Sequence, residues 1–372
     1  MTEPATTARL GAMRAWLLSS VLAIVLPLTS CSDDAIDPLR LPVTEPGPWS
    51  VGYRTWQIRY RPPAQDADRE VAVHVWYPTD VVEGMHPRYA GFLRDDGTVV
   101  DAAAAAPAYA EGYPVVAHSH GHRGLAEGGW RLHRHFATHG WVAVSVSHEG
   151  DLLSDGSSAD EQPITHWQER PLDVSAALDA LAALPDGDAL RAANTSRVLL
   201  SGHSRGAYTT WAAGGAAYDV AHLQAECDAE GFALPCTDAQ IARFEDGFRD
   251  ARVVAGLPMA GNGHGELYGG AQGMRQVPIP MLLMTAEADP VGAETLVADV
   301  TLPAGFSWVE IAEGCHELFN LGCGAAQDDL GFPVVAGYAL AFGRRHVLRD
   351  DTPEVVAITD GSGSVSERAT FH

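Results

Sequence analysis

Residues 197–206 read RVLLSGHSRG, and this stretch decides the fold. Val198, Leu199 and Leu200 form a short apolar run of the kind buried in a parallel sheet. Gly202-His203-Ser204-Arg205-Gly206 follows, and a run of small residues over 205–217 reads as a helix. G-x-S-x-G between a strand and a helix is a sharp turn that lifts a serine hydroxyl above the sheet edge. The glycines relieve the crowding at the turn, and the N–H groups opening the helix point toward the same spot. The bland alternative is a Gly-Ser turn without chemistry.

Outward from this point the chain alternates strands and helices. Residues 51–60 and 70–77 alternate apolar and polar, as antiparallel strands do. Strands are expected at 113–117, 141–147, 251–257, 279–285 and 306–311, and helices at 129–139, 166–184 and 332–347. This order gives an α/β fold with a mostly parallel sheet and right-handed crossovers. Residues 218–250 break the rhythm and read as a cap insertion over the C-terminal sheet edge, where ligands bind in such folds. The polar tail, 349–372, is expected to be flexible. The domain would then span 51–348.

A serine hydroxyl needs a base, and on this architecture the partners follow in the order Ser, acid, His. Past the strand at 279–285, Glu287, Asp289 and Glu294 compete for the acid. Asp289 precedes Pro290, at a position resembling the acid of many hydrolases, and is preferred. The next strand, FSWVEI, leads through Gly314 to His316, the expected base. His316 would take the Ser204 proton and return it to the leaving alcohol, while Asp289 holds the tautomer. Acyl transfer also needs oxyanion donors. The Arg205 N–H is one candidate, and the His122 N–H, in the loop His118-Ser119-His120-Gly121-His122-Arg123-Gly124, is the other.

VVAHSHGHRG (115–124), HRHFATHGWVAVSVSHEGD (133–151) and GHSRG (202–206), with Arg170-Pro171-Leu172-Asp173, resemble the platelet-activating-factor acetylhydrolases and their dienelactone-hydrolase-like relatives. The resemblance covers about residues 50–345. It implies an α/β-hydrolase fold and a metal-free serine esterase without cofactors, acting on short acyl esters of lipid or polyester type. One departure stands out: the acetylhydrolases carry their acid after the strand that here reads VVAGLPMA (253–260), which has none. The acid moves to Asp289, the position used by cutinase-like polyester hydrolases, which leaves a general esterase.

Seven histidines between 118 and 148 (His118, His120, His122, His133, His135, His139 and His148) raise a metal-dependent hydrolase as an alternative. The pattern lacks the H-x-H-x-D-H of a metallo-β-lactamase-type site. Trp167, Trp211 and Trp308 fit an acyl pocket or, more commonly, a core. A non-catalytic binding lipoprotein on a hydrolase fold is the third reading.

The chain has 372 residues with 46% hydrophobic and 19% charged, enough for a large core and too little charge for disorder. All 24 basic residues are Arg, against 48 Asp and Glu, and the net charge of −24 argues against nucleic acid or a polybasic membrane patch. Arg9 and Arg14 precede an apolar stretch at 16–28 that ends in Leu28-Thr29-Ser30-Cys31. It is the length of a signal h-region and resembles a bacterial lipobox with Cys31 as the lipid-attachment site. Residues 1–30 would be the signal peptide and 31–50 a Pro-rich tether. The expectation is an exported monomer, lipid-anchored at the outer membrane or cell surface, acting on a small-molecule or lipid ester. Cys227, Cys236, Cys315 and Cys323 are close in pairs, so disulfides Cys227–Cys236 and Cys315–Cys323 are expected outside the cytosol.

Overall fold

The structure is a computed structural model that describes residues 36–63, 65, 67–155, 163–232, 235–261, 264–268, 271–291 and 305–372. The signal segment, Cys31, the start of the tether and Glu294 lie outside the described residues.

Twelve strands are present among the described residues: β1 (Ser50–Tyr60), β2 (Arg69–Thr79), β3 (Arg88–Tyr89), β4 (Leu93–Arg94), β5 (Thr98–Val100), β6 (Tyr113–Ser119), β7 (Val142–Val146), β8 (Ala193–His203), β9 (Val253–Met259), β10 (Met281–Ala286), β11 (Phe306–Ile311) and β12 (Ala369–Phe371). Ten of them form one sheet in the order β12-β11-β10-β9-β8-β6-β7-β2-β1-β5. From β7 to β11 every neighbour is parallel. The β1–β2 hairpin joins antiparallel to β7.

The helices are α1 (Trp130–Thr138), α2 (Thr165–Ala182), α3 (Arg205–Gly214), α4 (Val220–Asp228), α5 (Asp238–Ala242), α6 (Ala271–Met274), α7 (Ala325–His346) and α8 (Pro353–Asp360). They cover both faces. Val115, Val198, Leu200 and Leu283 pack with Val174, Leu178 and Trp211 of α2 and α3. Their alternates Val116, Leu199, Leu282 and Met284 pack with Leu132 and Phe136 of α1 and Val335 and Leu340 of α7. Successive strand residues point to opposite faces, so a strand buried on both sides is a continuous apolar run.

Three expectations are corrected. The 349–372 tail is not free: α8 buries Val355 and Ile358, and β12 pairs antiparallel with β11. The polarity of this tail belongs to an outer helix and an edge strand. The second half of the 31–50 tether is docked as well. Val43 is buried, its carbonyl accepts from His135 Nε2, and Arg344 donates to the carbonyls of Leu39 and Leu41. The described residues of the 218–250 insertion do not cap Ser204. Leu223, Ile241 and Phe244 bury themselves beside Trp211 and Tyr208, because their aromatic and aliphatic faces match the α2–α3 layer.

Candidate active site

Every group singled out for chemistry lies just past the C-terminal end of a strand: His122 after β6, Ser204 after β8, Asp289 after β10 and His316 after β11. Parallel strands bring these ends to one sheet edge. Ser204 has φ 54° and ψ −116°, a conformation costly for a residue with a side chain, and its N–H donates to Met259 O at 2.9 Å. The turn closes only because Gly206 lacks a side chain; a Cβ there would fall 1.9 Å from Ser119 O. α3 starts at Arg205, so its first N–H groups face the turn.

His316 Nδ1 donates to both oxygens of Asp289, at 2.9 and 3.0 Å. Asp289 is buried and also accepts from Val291 N–H, whereas Glu287 is exposed and, among the described residues, accepts only from the Glu313 N–H, at 3.4 Å. Two residues of turn separate a carboxylate that reaches the imidazole from one that does not. Ser204 and His316 line one cavity of ≈ 170 Å³ with Gly121, His122, Arg123, Gly124, Leu125, Leu153, His203, Glu317, Asn320 and Leu321. The Ser204 hydroxyl makes no hydrogen bond to the imidazole among the described residues; such contacts commonly tighten only with substrate bound. A cavity of ≈ 200 Å³ between α1 and Phe332 of α7 contains none of Ser204, Asp289 or His316. No described residue of the 218–250 insertion lines the Ser204 cavity.

On the other side of Ser204, the loop after β6 closes against the turn. A Cβ on Gly121 would stand 3.2 Å from Ser204 Cβ, so glycine allows the approach. The His122 N–H has no hydrogen-bond partner among the described residues. The loop is fastened from beneath by Asp151, which accepts from His122 Nδ1 at 2.7 Å, Arg123 N–H at 2.8 Å and Arg170 Nη1 at 2.7 Å. Arg205 Nη1 lies 3.4 Å from the same carboxylate. Burial alone would raise the Asp151 carboxyl, but His122, Arg170 and Arg205 outweigh it and hold it well below the usual range. Arg170, fully buried, also donates to His120 O and to Ser119 Oγ. Burial brings its guanidinium down to about 10. Asp173 accepts from Arg69, Tyr60 and His148 Nδ1, which carries the network to a second buried carboxylate. The sequence singled out the Arg170/Asp173 spacing but gave no role to Asp151, which closes the quoted 133–151 stretch five residues past the end of β7.

His203 is a further residue that the motif left blank. It is buried, desolvation and the neighbouring His316 push it down to about 4, and the neutral ring donates from Nε2 to His316 O at 2.9 Å. It thereby fixes the backbone that presents His316. The disulfide Cys315–Cys323 closes the same segment, and Cys227–Cys236 joins α4 to the turn before α5.

The His-rich loop disperses. His118 bonds Ser201, His120 bonds Gly121 O and the His148 N–H, His122 bonds Asp151, His135 and His139 bond carbonyls, and His133 lies against Trp76. Among the described residues one group of three metal-capable side chains is close together, His203, His316 and Glu317, within 4.8 Å. It lies at Ser204, not in the His-rich loop. Of the three tryptophans considered for a pocket, Trp211 is core, Trp167 carries the Arg205 guanidinium on its face, and Trp308 donates to Thr285.

No known family profile matches the chain, and no curated protein matches it in sequence. Among solved structures it is similar to a ferulic acid esterase from Streptomyces cinnamoneus, with a TM-score of 0.56, 20% identity, and coverage of 90% of this chain and 98% of that one. The fold is that of an α/β-hydrolase. The sheet order, the helices on both faces and the strand–turn–helix at Ser204 all belong to that fold.

Proposed function

We propose that the protein is a serine carboxylic-ester hydrolase working through an acyl-enzyme. The observation that carries the reading is the strained Ser204 turn sharing a cavity with His316, whose Nδ1 is held by both oxygens of a buried Asp289. In the first step His316 Nε2 takes the Ser204 proton as Oγ attacks the ester carbonyl. Negative charge collects on the carbonyl oxygen, where the N–H groups of His122 and Arg205 receive it. His316 then protonates the leaving alcohol, and water repeats the sequence to free the acid. Asp289 holds the ring so that Nε2 faces the serine and stabilises the imidazolium. The structural neighbour is itself named as an esterase, in line with this chemistry. The cavity of ≈ 170 Å³ favours short acyl groups.

The reading extends to location. Two disulfides fit an oxidising compartment, and Cys31 would carry a lipid that tethers an exported monomer to the membrane. No helix among the described residues is long and apolar enough to cross a membrane.

A fluorophosphonate probe and a series of 4-nitrophenyl esters of rising chain length test the chemistry. Wild type should label and turn over the short esters, and Ser204→Ala should do neither, with a loss of at least about 1,000-fold and an unchanged unfolding midpoint. Activity that survives Ser204→Ala but is lost to a chelator and restored by zinc would establish the metal-dependent alternative instead. For location, full-length protein should fractionate with membranes and Cys31→Ser should not.

A further inference from the structure

Arg123 lines the Ser204 cavity, next in sequence to the oxyanion-donor candidate His122. Its φ is +48°, where a residue with a side chain is strained and glycine is the inexpensive choice. Its backbone N–H is already used by Asp151, and that bond asks nothing of the side chain. The guanidinium makes no hydrogen bond or ion pair with any described residue, and its Nε is buried without a partner. The contrast with its neighbours is direct. Arg170 and Arg205 both pair with Asp151, which therefore has no capacity left to balance a third cation. Glu317, the carboxylate lining the same cavity, accepts from Asn320 Nδ2 at 2.8 Å and forms no ion pair with Arg123. A strained arginine, unpaired among the described residues of a chain of net charge −24 and lining the same cavity as Ser204, calls for a partner that arrives with the substrate.

We propose that Arg123 binds an anionic oxyacid group, carboxylate or phosphate, on the ester substrate, so that the preferred substrates are acidic esters. This rests on the serine-esterase reading. The apolar lining from Leu125, Leu153 and Leu321 would hold the rest of a short chain.

The test compares two matched pairs of substrates at fixed ionic strength. 4-Nitrophenyl hemisuccinate against 4-nitrophenyl butyrate places the charge on the acyl side. 1-Butyrylglycerol 3-phosphate against monobutyrin places it on the alcohol side. Wild type should favour the charged member of at least one pair. Arg123→Gln, equally strained at this φ, should lower that kcat/KM ratio by about tenfold, and Arg123→Lys should restore part of it. A fall of about threefold or more in either pair supports the proposal, and a smaller change in both overturns it. Fluorophosphonate labelling of Ser204 in the same preparations separates the two levels. Labelling with unchanged ratios overturns the role of Arg123 alone, while absence of labelling and of turnover removes the esterase reading with it.

Discussion

The two sides of Ser204 are built differently. On the β6 side, the loop that carries His122 rests on a buried lattice of charged and polar groups: Asp151 and Arg170, then Ser119 and His148, then Asp173 and Arg69. On the β10–β11 side, Asp289 and His316 meet through one imidazole–carboxylate contact, steadied by the His203 hydrogen bond and a short disulfide loop. His316 is partly exposed, whereas Arg170 and Asp173 are almost fully buried. Under the proposed esterase mechanism, the difference follows from the task of each side. Oxyanion donors are backbone N–H groups that must be fixed before charge develops, so their support is rigid and costly to disturb. The base must exchange protons with substrate and water, so its environment stays open.

The most severe loss is expected at Asp289. Asp289→Asn should lower kcat by about 10,000-fold with little change in unfolding midpoint, because the His316 tautomer and the charge facing the imidazolium are lost while packing remains. Glu287→Gln should change kcat less than about threefold, since Glu287 faces solvent. The reverse ranking in steady-state kinetics would move the acid by two residues.

On the other side the expected damage is to stability. Arg170→Met leaves Asp151 and His120 O without their buried donor, and denaturant unfolding should show a loss of about 3–5 kcal/mol. An unchanged midpoint would mean that the lattice is not what holds the loop.

The disulfide gives a smaller effect. Replacing Cys315 and Cys323 together by Ser opens a loop with a sequence separation of 8, and loop entropy sets the stability loss at about 2–3 kcal/mol before strain. Activity should fall with it, more than for the Cys227/Cys236 pair, which lies away from the cavity. Equal activity losses would detach the disulfide from His316.

The last effect is a slope, small over any single pH unit. His148 is buried, and desolvation, together with Arg170, lowers it to about 4 in the fold from an ordinary 6.5. Between these values the unfolded chain binds the proton and the folded one does not, so stability falls as pH drops through this window. His148→Gln should reduce the pH dependence of unfolding free energy there by about 1.4 kcal/mol per pH unit. An identical slope would show that His148 does not titrate on unfolding.

Local pattern fixed much of this protein. Short apolar runs located the central strands, alternation located the β1–β2 hairpin, and G-x-S-x-G after RVLLS located the sharp turn at Ser204, because all are short-range consequences of backbone geometry. The proposed order of acid and base along the chain rests on strands delivering their ends to one edge. The tertiary structure decided what depends on partners far apart in sequence. Asp289 rather than Glu287 reaches His316, 27 residues on, because the turn after Ala286 buries one carboxylate and exposes the other. The segment at 39–43 docks because Arg344, 303 residues beyond Leu41, needs carbonyls for a guanidinium buried on its other side against Asp350. The polar tail completes the sheet because β11 would otherwise be an open edge. Asp151 and His203 carry no pattern of their own: their hydrogen bonds exist only once β6, β7, β8 and β11 lie side by side, and a buried polar group declares its role only through the partner that satisfies it.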